Sequence, residues 1–210
     1  ADNTFLSPAF QNPLSLGADI VMHSTTKYIN GHSDVIGGAV IVKTKKLHDQ
    51  IQEWANATGV AGAPFDSYLT LRGLRTLNLR MNTHERNAMG LAKVLSNNKK
   101  VRAVYYPGLK SHPSYLIAKN QQKGFGGMLS FDLKGGLPAV RKFFKRVKNF
   151  TLAESLGGFE SLVCHPYTMT HAPLTVKEKK IAGISEGLIR ISAGLEDLDD
   201  LIDGLKAGLE

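Results

Sequence analysis

Between Ile20 and Asp34 the chain reads Ile20-Val-Met-His-Ser-Thr-Thr-Lys27-Tyr-Ile-Asn-Gly-His-Ser-Asp34, an apolar strand that runs into hydroxyl groups, then a single amine, then a polar loop bearing glycine. A strand of that kind belongs inside an α/β sheet, and the loop after it then lies at the sheet's end, where open sheets build their sites. An amine held at the end of a buried strand, with little freedom to swing into water, can lose its proton and attack an aldehyde, as a Schiff-base lysine does. By two-residue alternation Ser24 and Thr26 share one side of the strand, where their hydroxyls can donate to a phosphate beside the amine. A lone lysine closing a strand is ordinarily solvated, so Lys27 takes its meaning from its neighbours.

Asp2 stands 25 residues ahead of Lys27, and Pro8 to Gly17 between them reads as a loop and short helix leading to a strand that begins near Asp19. Asp2 and Lys27 therefore close consecutive elements of one sheet. A carboxylate there can pair with a protonated pyridine nitrogen and keep a bound ring an electron sink; taken alone, Asp2 is better explained by an Asx turn or a helix cap. Arg190 lies in the apolar run Leu188-Ile-Arg-Ile, where a guanidinium needs an anionic partner. Its planar fork matches a carboxylate, and a structural ion pair explains it equally well. Ser155 precedes Leu156-Gly-Gly158, where backbone can approach a ligand closely, although a serine there is otherwise an ordinary turn residue.

Taken in order, Asp2-Asn-Thr-Phe, His23-Ser-Thr-Thr-Lys27-Tyr-Ile-Asn-Gly-His-Ser-Asp34, Gly124-Phe-Gly-Gly-Met-Leu-Ser130, Glu154-Ser-Leu-Gly-Gly-Phe-Glu-Ser161, Met169-Thr-His171 and Leu188-Ile-Arg-Ile-Ser-Ala-Gly-Leu-Glu196 resemble the pyridoxal-phosphate enzymes of cysteine and methionine metabolism. The resemblance covers nearly the whole chain. It implies that Lys27 bonds to pyridoxal 5'-phosphate, Asp2 contacts the pyridine nitrogen, Ser24 and Thr26 bind the phosphate, and Ser155 and Arg190 hold the substrate α-carboxylate. The chemistry implied is that of a carbon-sulfur lyase or transferase. Glu154 and Leu156 are more similar to the cystathionine γ-lyases and γ-synthases than to methionine γ-lyases or the β-lyases with an aromatic residue after the serine. The expected activity is cystathionine γ-lyase, with γ-synthase and then β-lyase behind it, and Glu154 joins the substrate-binding set. A homotetramer with shared sites is implied as well.

The fold expected is α/β: residues 1–95 as the end of a fold type I, aminotransferase-like cofactor domain with a bridging helix, and 96–210 as a smaller α/β domain. Strands are expected near Asp19 to Ser24 and at Gly38–Val42, Val101–Tyr105, Met128–Leu133 and Leu188–Ser192, and helices over Leu47–Ala57, over Phe65–Leu95 with a break near Gly73, from Pro138 and from Glu196. In the last helix Leu198, Leu201, Ile202 and Leu205 fall on one face. No strand or glycine-rich phosphate loop precedes Asp2, so the sequence is expected to be the C-terminal part of a longer polypeptide. The missing portion would supply the ring stacked on the cofactor and further phosphate donors.

With 210 residues, 42% hydrophobic and 21% charged, the chain can bury a sizeable core. No stretch approaches the roughly twenty apolar residues of a membrane span, and the single Cys164 suits a reducing, cytoplasmic setting. The net charge of +8 and the run Arg141-Lys-Phe-Phe-Lys-Arg-Val-Lys148 raise a second class of function, a basic nucleic-acid-binding module. Val140, Phe143, Phe144 and Val147 recur at helical spacing there, so the aromatics are expected to face a core and the cations solvent. Cys164, His165 and His171 match no zinc spacing, Gly124 to Gly127 leads into a strand where a phosphate loop needs a helix, and His112 marks a loop.

Overall fold

The computed structural model describes residues 1–210 as two sheets of unequal size with helices around them. A short helix α1 (Ser7–Phe10) and a 3-10 turn (Pro13–Leu16) lead to strands β1 (Ile20–Ser24) and β2 (Gly38–Val42), which pair antiparallel from Ile20 opposite Val42 to Ser24 opposite Gly38. Helices α2 (Lys45–Thr58), α3 (Pro64–Leu74) and α4 (Leu77–Ser96) follow. The remainder runs β3 (Val101–Tyr105), α5 (Tyr115–Gln121), β4 (Met128–Leu133), α6 (Gly136–Arg146), β5 (Thr151–Leu152), β6 (Leu162–Cys164), α7 (Val176–Ile181), β7 (Leu188–Ser192) and α8 (Leu198–Leu209). Its five strands form a mixed sheet in the order β3-β4-β7-β6-β5, parallel only between β5 and β6.

Side chains alternate across β7, so Ile189 and Ile191 enter the core with Leu129, Phe131 and Val163, while Arg190 and Ser192 point to the opposite face. Helices α4, α6 and α8 close the core. Leu201, Leu205 and Leu209 are its α8 contribution, and Phe143 of α6 meets Phe131 edge to face at 5.6 Å between ring centroids. The α6 cations Arg141, Lys142, Lys145 and Arg146 stay exposed, as the helical spacing requires. Helix α4 serves two cores: Ala88, Leu91, Ala92 and Leu95 enter the larger one, and Leu77 and Met81 join Phe10, Tyr28 and Leu156 in a smaller one. No helix is long and apolar enough to cross a membrane.

Four of the expected strands, β2, β3, β4 and β7, have the expected limits, and β1 begins one residue later than the sequence pattern starts. The helical run from Phe65 to Leu95 is corrected to two helices, separated at Arg75 and Thr76 and not at Gly73. Gly73 has another reason to be glycine. A Cβ there would stand 2.2 Å from the Asn30 carbonyl oxygen, so its absence lets α3 lie against the loop after Lys27. The helices expected from Pro138 and Glu196 start at Gly136 and Leu198. Elements α5 and α7, helices of seven and six residues, and β5 and β6, strands of two and three, went unpredicted because each is too short to repeat its own period clearly.

Candidate active site

Strand β1 ends at Ser24, and Thr25 to Asn30 form consecutive turns that carry Lys27. The loop closes on itself: the Gly31 amide donates to the Lys27 carbonyl at 2.8 Å, and the Asn30 amide to that of Thr25 at 3.0 Å. Arg80 braces it from below. This guanidinium is 4% exposed and has no carboxylate partner; it donates to the carbonyls of Tyr28 (2.7 Å), Ile29 (3.3 Å) and Gly73 (2.8 Å) and to the Thr76 hydroxyl (3.0 Å). Gly31, at φ +72°, makes room for it, since a Cβ there would collide with the guanidinium.

The Lys27 amine reaches across the fold and donates to Ser155 Oγ at 3.0 Å. Burial, and then the positive charge of Arg190, hold that amine below the ordinary lysine range. Arg190 sits between Ser130 of β4 and Cys164 of β6 in the sheet register and donates to the backbone carbonyls of Glu154 and Ser155. It forms no ion pair within the chain, so the structural ion pair open at the sequence level is absent. The Glu154 side chain is exposed beside it. Lys27, Ser155, Arg190 and Glu154, drawn from three segments, thus come together.

Asp2 lies along the edge of β1 opposite β2, paired with Met22 as an isolated parallel bridge. Its carboxylate accepts the Thr4 amide at 2.9 Å, and the Thr4 hydroxyl accepts the Ser24 amide at 2.8 Å. Asp2 therefore makes the Asx turn weighed as its alternative role. Those hydrogen bonds from Thr4 hold its carboxyl below the usual range against the opposing effect of burial, so it stays anionic. No hydrogen bond or ion pair connects Asp2 with Lys27. The alternation argument for Thr26 is corrected too, because Thr26 lies beyond the end of β1; its hydroxyl accepts the Gly37 amide at 3.0 Å. Burial still alternates, with Thr25 buried and Ser24 and Thr26 half-buried.

Several residues that hold this arrangement escaped the sequence reading. Besides Arg80, they are Ser192, whose hydroxyl accepts the Gly157 amide at 2.9 Å, Glu196, whose carboxylate accepts the Ser161 amide and hydroxyl, and the pair Ser33 and Glu160. Part of this was detectable: Arg80, His84 and Asn87 interrupt the buried stripe of α4, and polar groups at core positions imply partners to satisfy. Asn87 donates to the carbonyls of Gly194 and Glu196, and His84 to that of Ala193, so all three are structural ties to the lysine loop or to the exit of β7. His165 is spent on Thr168 and the Glu186 carbonyl, and no group of three or more His, Cys, Asp or Glu is arranged to hold a metal.

The family described as Cys/Met metabolism PLP-dependent enzyme matches residues 1–210. Among curated relatives, a cystathionine beta-lyase of Coxiella burnetii is 53% identical over 210 residues, covering 100% of this chain and 54% of the relative. A cystathionine gamma-lyase of Dictyostelium discoideum is 49% identical over 209 residues, with the same two coverages of 100% and 54%. A crystal structure of cystathionine gamma synthase from Xanthomonas oryzae pv. oryzae, in complex with cystathionine, superposes with a TM-score of 0.96 at 57% identity, covering 99% of this chain and 54% of that one. The chain spans about half the length of the relatives it matches.

Proposed function

Because the chain belongs to the family of Cys/Met metabolism PLP-dependent enzymes, we propose that the whole protein uses pyridoxal 5'-phosphate to break or exchange a carbon-sulfur bond at the γ carbon of a sulfur amino acid. The observation that carries this reading is the Lys27 amine at 3.0 Å from Ser155 Oγ, its proton loosened by burial and by Arg190. The donor set present fits the cofactor: an amine of weakened basicity, a carboxylate held anionic at Asp2, and the half-buried hydroxyls of Ser24 and Thr26. When bound, pyridoxal phosphate supplies an aldehyde that bonds to amines and a ring that accepts the electron pair released at the substrate's α carbon. Lys27, neutral for part of its time, would hold the cofactor through its amine and, once free, would serve as the base for the substrate's α proton. Asp2 would hold the pyridine nitrogen, and Ser24 and Thr26 would hold the phosphate. Arg190, which has donors beyond those it gives to Glu154 and Ser155, grips the α-carboxylate with Ser155. Glu154, exposed beside Arg190, would contribute to substrate binding. The two cores support a division at residue 95, with α4 bridging them.

Within this chemistry the first reading is cystathionine γ-lyase, supported by Glu154 and Leu156 and by the Dictyostelium relative. Synthesis in the γ direction is the second, favoured by the likeness to the Xanthomonas synthase. Borohydride reduction with pyridoxal phosphate, followed by peptide mapping, should place the adduct on Lys27, and Lys27→Ala should abolish turnover; full turnover in that variant overturns the assignment. Cystathionine alone should yield cysteine and 2-oxobutanoate. Homocysteine and pyruvate would instead establish β cleavage, and cystathionine made from cysteine plus an activated homoserine ester would establish the synthase.

A further inference from the structure

The loop that carries Lys27 and the loop that carries Ser155 pack through Tyr28 against Leu156 and Gly157 and are joined by two side-chain hydrogen bonds. One is the bond between Lys27 and Ser155; the other is Ser33 Oγ, which donates to Glu160 Oε1 at 2.7 Å. Apolar packing at Tyr28 is non-directional, so the second hydrogen bond adds a fixed orientation where the first alone allows a pivot. From this we infer that Ser33 and Glu160 form a latch that sets the Ser155 loop against Lys27, acting as positioning residues for the substrate carboxylate; this rests on the function proposed above.

Three features mark the latch as built into the fold. Ser33 adopts φ +60°, a left-handed conformation that is unfavourable for a residue with a Cβ, and its hydroxyl thereby reaches the neighbouring loop. Gly158 leaves the crossing open, since a Cβ there would stand 2.3 Å from Ser33 Oγ. Glu160 itself stands on a fixed base. The next residue, Ser161, gives its amide and hydroxyl to Glu196 and accepts the Gly194 amide at 2.8 Å, while the Leu195 amide donates to the Phe159 carbonyl at 2.7 Å. Those partners lie just past β7, the strand that holds Arg190. The latch therefore ties the lysine loop to the same support as the guanidinium. Oε2 of Glu160 is buried and accepts nothing within the chain, so one oxygen suffices for the contact, and an amide oxygen can replace it.

Ser155 and Arg190 are assigned a grip on the substrate that is the same before and during the reaction, so a loosened loop should weaken binding more than chemistry. In the full polypeptide that carries this sequence, Ser33→Ala should raise KM for the amino-acid substrate by about tenfold, the scale of one hydrogen bond to a charged group, and change kcat by less than about twofold. Glu160→Gln should keep the parental KM. The double variant Ser33→Ala with Glu160→Ala should be no worse than either single one. As a readout independent of turnover, hydrogen exchange in the cofactor-free protein should quicken across residues 155–161 in Ser33→Ala with an unchanged melting temperature. An unchanged KM, additive effects, or a fall in melting temperature that accounts for the loss would overturn the latch. Failure of the parent protein to form the Lys27 adduct would overturn the proposed function itself, so the two failures are separate.

Discussion

Lys27 is set by two neighbours whose effects can be separated. Burial and the Arg190 charge both lower its proton affinity, so the rate of reductive trapping should rise with pH around a midpoint below the ordinary lysine value of 10.5. Arg190→Gln removes the second cause, and the midpoint should then move upward in a pH series of borohydride trapping; a midpoint that stays put leaves burial as the sole cause. His84 titrates in the opposite setting. Burial pushes its imidazole down to about 4 from 6.5, and its Nε2 is buried with no partner to accept a second proton. Between those values the unfolded chain binds the proton and the folded chain does not, so stability is full above about pH 6.5 and is lost as pH falls toward 4. The loss is roughly 3 kcal/mol at most, and His84→Gln should flatten the drop when urea midpoints at neutral pH and pH 5 are compared. Of the residues involved, Arg190 stood out in sequence as a guanidinium within an apolar run, whereas Lys27 and Ser155, ordinary taken singly, were marked out by the motifs that resemble the family. The roles of Arg80, Ser33 and Glu160 were not legible there, since Arg80 reaches the Tyr28 and Ile29 carbonyls 52 and 51 positions away and Ser33 reaches Glu160 127 positions away.

Helices and strands differ in how securely they are held. Phe131 of β4 is fully buried against Phe143, and Phe131→Ala should cost about 3 to 5 kcal/mol in denaturant unfolding, because the flanking sheet and helices cannot collapse into the gap. By contrast α2 buries no residue, and β1 and β2 form a sheet of only two strands. Amides of residues 20–24, 38–42 and 45–58 should therefore exchange much sooner than those of β4 and β7 in a hydrogen-exchange mass measurement of the 210-residue chain. Equal protection would mean that the smaller sheet gains stability from packing beyond these strands. Strands of five or six residues with β-branched or aromatic character were readable, as was the apolar face of α8. The two- and three-residue strands β5 and β6 exist because β7 offers an edge to pair with, which no local pattern announces.

At the scale of the whole molecule, the net charge of +8 is spread over solvated faces such as that of α6, whose aromatics are turned into the core. A mobility-shift titration with duplex DNA or RNA at low salt should show no saturable complex, and a shift that weakens steeply with salt would revive the nucleic-acid reading. What the sequence determined by itself was the family, through motifs that resemble it in order along the chain, and the periodic elements: residue types and short-range spacing suffice for an amine after an apolar strand, a guanidinium within one, and helices with one apolar stripe. The tertiary structure alone decided which loops meet. The distance between Lys27 and Ser155, 128 positions apart, follows from β7 crossing between β4 and β6 and from α4 entering both cores. Those are long-range packing outcomes, fixed by the burial of surfaces that the chain brings together only when it folds.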